Sequence, residues 1–212
     1  MSYAVKEIYY TLQGEGRQVG RAAVFCRFVG CNLWSGREED RSGAICVFCD
    51  TDFIGVDGPG GGRFADADAL TEAISSTWKG IGGQRLVVFT GGEPLLQLDS
   101  SLIQSVKRAG FEIAIETNGT REAPEDIDHI CVSPKGRAPL AITSGDELKL
   151  VYPQLEAEAQ PECFSHLHFT DFYLQPMDGP QREENTKAAI EYCQLHPKWK
   201  LSLQSHKYTG IP

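Results

Sequence analysis

Six short apolar runs, residues 22–29, 85–90, 112–117, 127–133, 147–151 and 168–175, recur along the chain and give way to glycine, proline or polar residues. Between or after them lie stretches of helical spacing. Residues 66–78 put Ala69, Leu70, Ala73, Ile74 and Thr77 on one side. Residues 98–108 form a second such stretch, and 183–195 a third, with Ala188, Ala189, Tyr192 and Leu195 as its expected core face. Strands alternating with helices or crossover loops predict an α/β fold with a parallel sheet, here as one domain over 1–212. Ligands in such sheets gather at the carboxyl ends of the strands. Those ends carry Thr90-Gly91-Gly92-Glu93, Glu116-Thr117-Asn118-Gly119, Ser133-Pro134-Lys135, Lys149 and Gln175-Pro176, which supply the polar groups a site needs. The run Gly58-Pro59-Gly60-Gly61-Gly62 predicts a flexible surface loop.

Charge narrows the function classes. Acids outnumber bases 29 to 20, a net charge of −9, which argues against a nucleic-acid surface. No run approaches the roughly 18 apolar residues of a membrane span. The start, Met1-Ser2-Tyr3-Ala4-Val5-Lys6, lacks the charged-then-apolar pattern of a signal peptide. The expectation is a cytoplasmic protein with no direct nucleic-acid or membrane partner.

Seven cysteines are an odd number without regular disulfide spacing. Cys26 and Cys131 lie in apolar runs and, with Cys163 and Cys193, are expected to pack as small hydrophobes. Cys31, Cys46 and Cys49 differ: C-x14-C-x2-C follows the first apolar run. Three thiolates with an open fourth place suit an iron–sulfur cluster that leaves one iron for a ligand. A structural zinc site is the alternative, but it wants four ligands, and the next candidates, His129 and Cys131, belong to another strand. About forty residues on, Thr90-Gly91-Gly92-Glu93-Pro94 closes a strand. Its plain reading is a turn into a helix N-terminus, with Glu93 favoured by the helix dipole.

Three cysteines in a loop followed by Gly-Gly-Glu after a later strand resemble the radical S-adenosylmethionine (SAM) superfamily. Further segments extend the likeness: residues 7–16 (EIYYTLQGEG), 27–33 (RFVGCNL), Cys49-Asp50-Thr51, Glu116-Thr117-Asn118-Gly119, Ser133-Pro134-Lys135, Gln175-Pro176-Met177-Asp178 and the tail 206–211 (HKYTGI). In this order, from Tyr9 to Pro212, the chain is similar to the 7-carboxy-7-deazaguanine synthase family. Most of the superfamily spaces its cysteines C-x3-C-x2-C, and the longer loop here adds roughly 1–1.5 kcal/mol of closure entropy, small beside iron–thiolate bonds. The charged stretch Arg37-Glu38-Glu39-Asp40 reads as a solvated loop, with a lid or a reductant-docking surface as the alternative.

The resemblance implies a partial (β/α)6-type radical SAM barrel, compact and missing some helices, because the helix after Thr117 is poorly marked. It implies a 4Fe-4S cluster on Cys31, Cys46 and Cys49, SAM chelated to the open iron and split by one electron, and a magnesium ion on the Thr51 hydroxyl. The resulting 5′-deoxyadenosyl radical takes a hydrogen from 6-carboxy-5,6,7,8-tetrahydropterin, whose ring contracts with loss of ammonia. For SAM the matching positions are Gly91 and Gly92 beside the methionyl part and Glu93 accepting from its ammonium. Phe48, Cys49 and Asp50 would lie along the adenine, Glu116 on the ribose, with Ser133, Pro134, Lys135, Gln175, Pro176, Met177 and Asp178 around them. For the substrate they are Leu12, Gln13, Gly14, Glu15, Thr90, Arg27 on the carboxylate, and the terminal carboxylate of Pro212. The cluster loop is then 31–49, and the tail 204–212 reaches the site, anchored by His206. A flavodoxin-like reductant and a homodimer are the implied partners. A glycyl-radical activase and a zinc-binding, RNA-contacting module are the competing readings.

Overall fold

The computed structural model describes residues 2–212. Its strands are β1 (Tyr3–Leu12), β2 (Ala22–Phe28), β3 (Gly62–Phe64), β4 (Arg85–Gly91), β5 (Phe111–Thr117), β6 (His129–Val132), β7 (Ser144–Tyr152), β8 (His168–Pro176) and β9 (Trp199–Leu201). They form one sheet in the order β3-β1-β2-β4-β5-β6-β7-β8-β9. From β2 to β9 every neighbour runs parallel, whereas β1 is antiparallel to both β2 and β3. Parallel strands covered on both faces read as unbroken apolar runs, and Leu86, Val87, Val88 and Phe89 of β4 are all buried.

Helices α1 (Ala67–Thr77) and α2 (Ser100–Arg108) cover the early half of the sheet. Asp66 caps α1 by accepting from the Ala69 N–H at 2.9 Å, and Asp99 caps α2 through Leu102 at 3.0 Å. Their apolar sides, Leu70 and Ile74 with Leu102, Ile103 and Val106, share one core with Val24, Val87, Phe89 and Ile113. The later half is barer. Among the described residues no α-helix joins β5 to β6, β6 to β7 or β7 to β8, and only two 3-10 turns, Ala157–Ala159 and Pro161–Cys163, interrupt the last of these connections. Helix α3 (Arg182–Leu195) follows β8, and the short α4 (His206–Thr209) ends the chain. The sheet is not closed, which fits the partial barrel expected. Among the described residues no helix is long and apolar enough to cross a membrane.

The structure departs from the sequence reading in four places. Strand β1 was absent from the apolar runs, because Lys6 and Glu7 interrupt it. The glycine run 58–62 is bound rather than free. Gly58 donates to the Lys6 carbonyl at 3.0 Å, Ile8 donates to the Pro59 carbonyl at 2.7 Å, and Gly62 opens β3. A Cβ on Gly61 would stand 2.2 Å from the Lys6 carbonyl oxygen, so this approach to β1 requires glycine. On α3 the expected core face narrows to the buried Ala189 and the partly buried Tyr192, and Leu195 is 70 % exposed. Cys26 and Cys131 are buried apolar fillers, but Cys163 is exposed, with its thiol donating to the Ala157 carbonyl, and Cys193 is half-buried.

Candidate active site

The carboxyl ends of β4 to β8, the end of β1 and the C-terminal tail enclose a cavity of about 710 Å³. Two differently built edges face each other across it.

The cysteine edge begins where β2 ends. The Gly30 carbonyl accepts from the Glu93 N–H at 2.9 Å, which draws the end of β4 against the residue preceding Cys31. The approach is tight: a Cβ on Gly92 would lie 2.3 Å from the Gly30 oxygen and 2.7 Å from the Cys31 Cβ, and one on Gly91 2.4 Å from the Phe28 oxygen. Both glycines are therefore required by chain-on-chain packing, besides any ligand. Interaction between the neighbouring Cys46 and Cys49 thiols holds Cys49 below the ordinary thiol value and Cys46 above it. Cys31 interacts with both, and its sulfur accepts from the Leu33 N–H at 3.4 Å. The long loop between is anchored. Trp34 is buried edge-on to Phe53, the Arg41 guanidinium lies 4.1 Å over the Trp34 ring, and Arg41 Nη1 donates to the carbonyls of Val47 at 2.9 Å and Cys49 at 3.1 Å. Arg37 to Asp40 are all exposed, as expected of a solvated stretch, and residues Glu38–Gly43 form a 3-10 turn that presents Arg41 to the cysteine pair. Three thiols, one with a backbone N–H on its sulfur, are the residue types an iron–sulfur cluster takes, although among the described residues they are not drawn together into a metal-ligand group.

The opposite edge is a ring of polar side chains. Lys149 Nζ, from β7, donates to Glu15 Oε2 at 2.6 Å and to Glu116 Oε2 at 3.0 Å. Gln13 Nε2 donates to Glu116 Oε1 at 2.8 Å, and the Glu15 N–H donates to Gln13 Oε1 at 3.1 Å, which closes the ring. Burial works against the Lys149 ammonium, but the carboxylates of Glu116, Glu15 and Glu147 outweigh it and raise its pKa well above the ordinary lysine value. Burial likewise opposes the Glu15 carboxylate, and Lys149 together with Gln204 brings it below the usual range. Beneath lies Glu147, which accepts from the Arg17 N–H at 2.7 Å and stands 3.8 Å from His129 Nε2. Burial would push Glu147 up, yet His129, Lys149 and Arg17 hold it down at about 2. Gly16, at φ +62°, passes so close that a Cβ would sit 2.4 Å from Glu147 Oε1.

The tail closes the cavity. Gln204 Nε2 donates to Glu15 Oε1 at 3.1 Å, Ser205 Oγ donates to the Gly14 carbonyl at 2.9 Å, and Thr11 Oγ1 donates to the Pro212 carbonyl oxygen at 3.0 Å. His206 packs on Gly14, and Lys207 bridges Asp50 at 2.8 Å and Asp178 at 2.6 Å.

Most residues singled out from the sequence line this cavity: Leu12 to Glu15, Arg27, Cys46, Phe48 to Thr51, Thr90 to Gly92, Glu116, Ser133, Lys135, Gln175 to Asp178 and Pro212. Three do not. Cys31 borders the outer face of its loop, beside Asn32 to Trp34. Pro134 lies off the cavity, its carbonyl accepting from Gln154 Nε2 at 3.3 Å. Glu93, expected to accept from a cofactor ammonium, is wholly buried under the wall. Its Oε1 accepts from Thr117 Oγ1 at 2.6 Å and the Leu95 N–H at 3.0 Å, and its Oε2 from the Asn118 N–H at 2.8 Å, so it ties the end of β4 to the end of β5. Burial raises its pKa, and these donors counter only part of the rise. Arg27, expected to fork onto a carboxylate, spends Nε on Glu7 at 2.7 Å and Nη2 on the Tyr9 hydroxyl at 3.2 Å, leaving Nη1 for a ligand. Lys135 turns back onto Ser133.

Comparison with known proteins joins these observations. Residues 42–196 match the Radical SAM superfamily. Over its full length the chain is 64% identical to the 7-carboxy-7-deazaguanine synthase of Bordetella pertussis, and 60% identical to that of Caulobacter vibrioides, covering all of each. The chain belongs to the 7-carboxy-7-deazaguanine synthase family of radical SAM proteins. The family fold agrees: the crystal structure of QueE from Escherichia coli matches with a TM-score of 0.73 at 27% identity, over 97% of this chain and 95% of that one. Family motifs alone left Lys149, Gln204, Lys207 and Tyr9 out of the candidate site. Lys149 was visible only as a polar strand end, Tyr9 and Lys207 only as members of the segments 7–16 and 206–211, and Gln204 only as the start of the tail 204–212.

Proposed function

We propose that this chain, like the family members it resembles, contracts the ring of 6-carboxy-5,6,7,8-tetrahydropterin to 7-carboxy-7-deazaguanine with loss of ammonia. That makes it a carbon–nitrogen lyase on the route to queuosine. The observation that carries the reading is the meeting of the Cys46 and Cys49 thiols and the carboxylate–lysine ring in one cavity of a chain this close to its relatives. Bound at the thiol edge, a 4Fe-4S cluster with SAM supplies one-electron bond cleavage and hydrogen abstraction.

The chain's own groups then bind, orient and exclude water. Cys31, Cys46 and Cys49 hold the cluster as thiolates. The backbone at Gly91 and Gly92 offers the methionyl part a surface free of side chains. Phe48 and Asp50 lie along the adenine, Glu116 accepts from the ribose hydroxyls, and Ser133, Lys135 and Gln175 to Asp178 complete that pocket. Glu15 and the Gln13–Gly14 backbone take the N–H edge of the pterin, while Arg27 Nη1 and Thr90 meet its oxygen atoms. Pro212 lines the same region, its carbonyl oxygen accepting from Thr11 Oγ1. Thr51 offers its hydroxyl to magnesium. Its neighbours Asp50 and Asp52 each pair with a lysine, Lys207 and Lys6, at 2.8 Å. A flavodoxin-type reductant, a homodimer and a cytoplasmic location follow from the same reading.

Anaerobic incubation with SAM, dithionite and the tetrahydropterin, followed by mass analysis, tests it. The expected product is 7-carboxy-7-deazaguanine; a brown, iron-loaded protein that cleaves SAM without forming it sinks the reading. A colourless protein with one zinc per chain establishes the structural-zinc alternative instead. A C-terminal tag is expected to abolish turnover with normal iron content, and an active tagged protein removes Pro212 from the site.

A further inference from the structure

We propose that Lys149 is a positioning residue: it sets the spacing between the substrate-facing carboxylate of Glu15 and the cofactor-facing carboxylate of Glu116, and so the approach of the two bound molecules. The proposal rests on the assignment of those two glutamates under Proposed function.

The three side chains come from separate elements. Glu15 follows β1, Glu116 lies near the end of β5, and Lys149 stands on β7, 134 and 33 residues from its two partners. Lys149 is 3% exposed in its side chain, against 13% and 22% for Glu15 and Glu116, so at the cavity wall the carboxylates are more open than the ammonium that joins them. Two carboxylates within 3.0 Å of one nitrogen crowd like charges, and without the cation between them they repel and move apart. Carboxylates displaced in that way no longer meet an N–H edge and a ribose hydroxyl at once.

The remaining bonds of the ring lock the geometry. Gln13 ties Glu116 to the Glu15 backbone, and Gln204 from the tail takes the other oxygen of Glu15. Each carboxylate oxygen thus holds one internal bond and retains a lone pair for a ligand. Hydrogen abstraction demands reacting atoms at contact distance, so a shift of the two carboxylates relative to each other separates cofactor cleavage from product formation.

The test uses the iron-loaded full chain and Lys149→Met. Two quantities are read: the ratio of 5′-deoxyadenosine to 7-carboxy-7-deazaguanine formed, and the affinity of the unreduced protein for 7-carboxy-7-deazaguanine, followed by tryptophan fluorescence. We expect the ratio to rise about fivefold and the dissociation constant about tenfold, with iron content as in the wild type. Loss of fold alone would lower both products together and leave their ratio unchanged. Lys149→Arg, which can still bridge two carboxylates, is expected to lie nearer the wild type than Lys149→Gln. Should the Met variant not accumulate, the Arg and Gln variants supply the same two readouts in its place. Wild-type ratio and affinity in Lys149→Met, or in Lys149→Gln, overturn the proposal. A wild-type protein that forms no deazaguanine instead overturns the functional reading, a different failure visible in the control alone.

Discussion

The two edges of the cavity are built on opposite principles. The cysteine edge is a loop: two thiols three residues apart, a third behind a 3-10 turn, and an arginine on the surface holding the span together. The carboxylate edge is made of strand ends and the tail, with a buried lysine at its centre and every polar atom engaged before any ligand arrives. One edge waits for a metal to complete its ligand geometry; the other is already assembled by the sheet. The contrast suits the chemistry, because a cluster imposes its own bond lengths, whereas an organic substrate must find its acceptors in place.

That contrast can be broken by substitution. Cys49→Ser is expected to remove the cluster and all detectable turnover, read as iron content and visible absorbance, while the urea midpoint of the metal-free protein hardly moves. Glu15→Ala should do the reverse. It leaves Lys149 with one direct partner and lowers the stability of the metal-free protein by about 2 kcal/mol in urea unfolding, yet iron still loads. Equal loss of stability in both variants would erase the distinction between the edges.

Below the ring, Glu147 allows a pH experiment. Its folded pKa of about 2 lies under the ordinary 4.5, so its ionised form stabilises the fold above pH 4.5, and that contribution is lost as pH falls toward 2. The stability advantage of the wild type over Glu147→Gln should therefore be constant near neutrality and narrow across that window. A pH-independent difference would show that packing rather than charge holds this carboxylate. The smallest effect is expected at the loop: Arg41→Ala should still load iron but lose it to air a few-fold faster, with turnover reduced in proportion. Unchanged oxygen sensitivity would mean that the bonds from Arg41 to the Val47 and Cys49 carbonyls do not brace the cluster loop.

Legibility in the sequence followed the same division. The strands β2 and β4 to β8 appear as apolar runs, most plainly β4, where Leu86 to Phe89 are all buried, and helices α1 and α2 as 3.6-residue periods opened by the N-caps Asp66 and Asp99. Strand β1 escaped because its charged residues face partners rather than core: Lys6 reaches Asp52 and Asp57, and Glu7 reaches Arg27. The Gly-Gly-Glu motif was visible, but its meaning changed on folding. The family resemblance implied a partner for the cofactor ammonium, whereas in the structure the Glu93 side chain turns inward onto Thr117 and Asn118 beside the close approach of β4 to Gly30.

Residue order therefore specified the alternation of strands and helices, the three-cysteine spacing and the family, since each is written in short stretches where neighbours in sequence are neighbours in space. The joining of Gln13, Glu15, Glu116, Lys149 and Gln204 into one ring came from the packing of β1, β5, β7 and the tail. No local pattern encodes it, because a hydrogen bond between residues more than a hundred positions apart exists only once the sheet has brought their strand ends together.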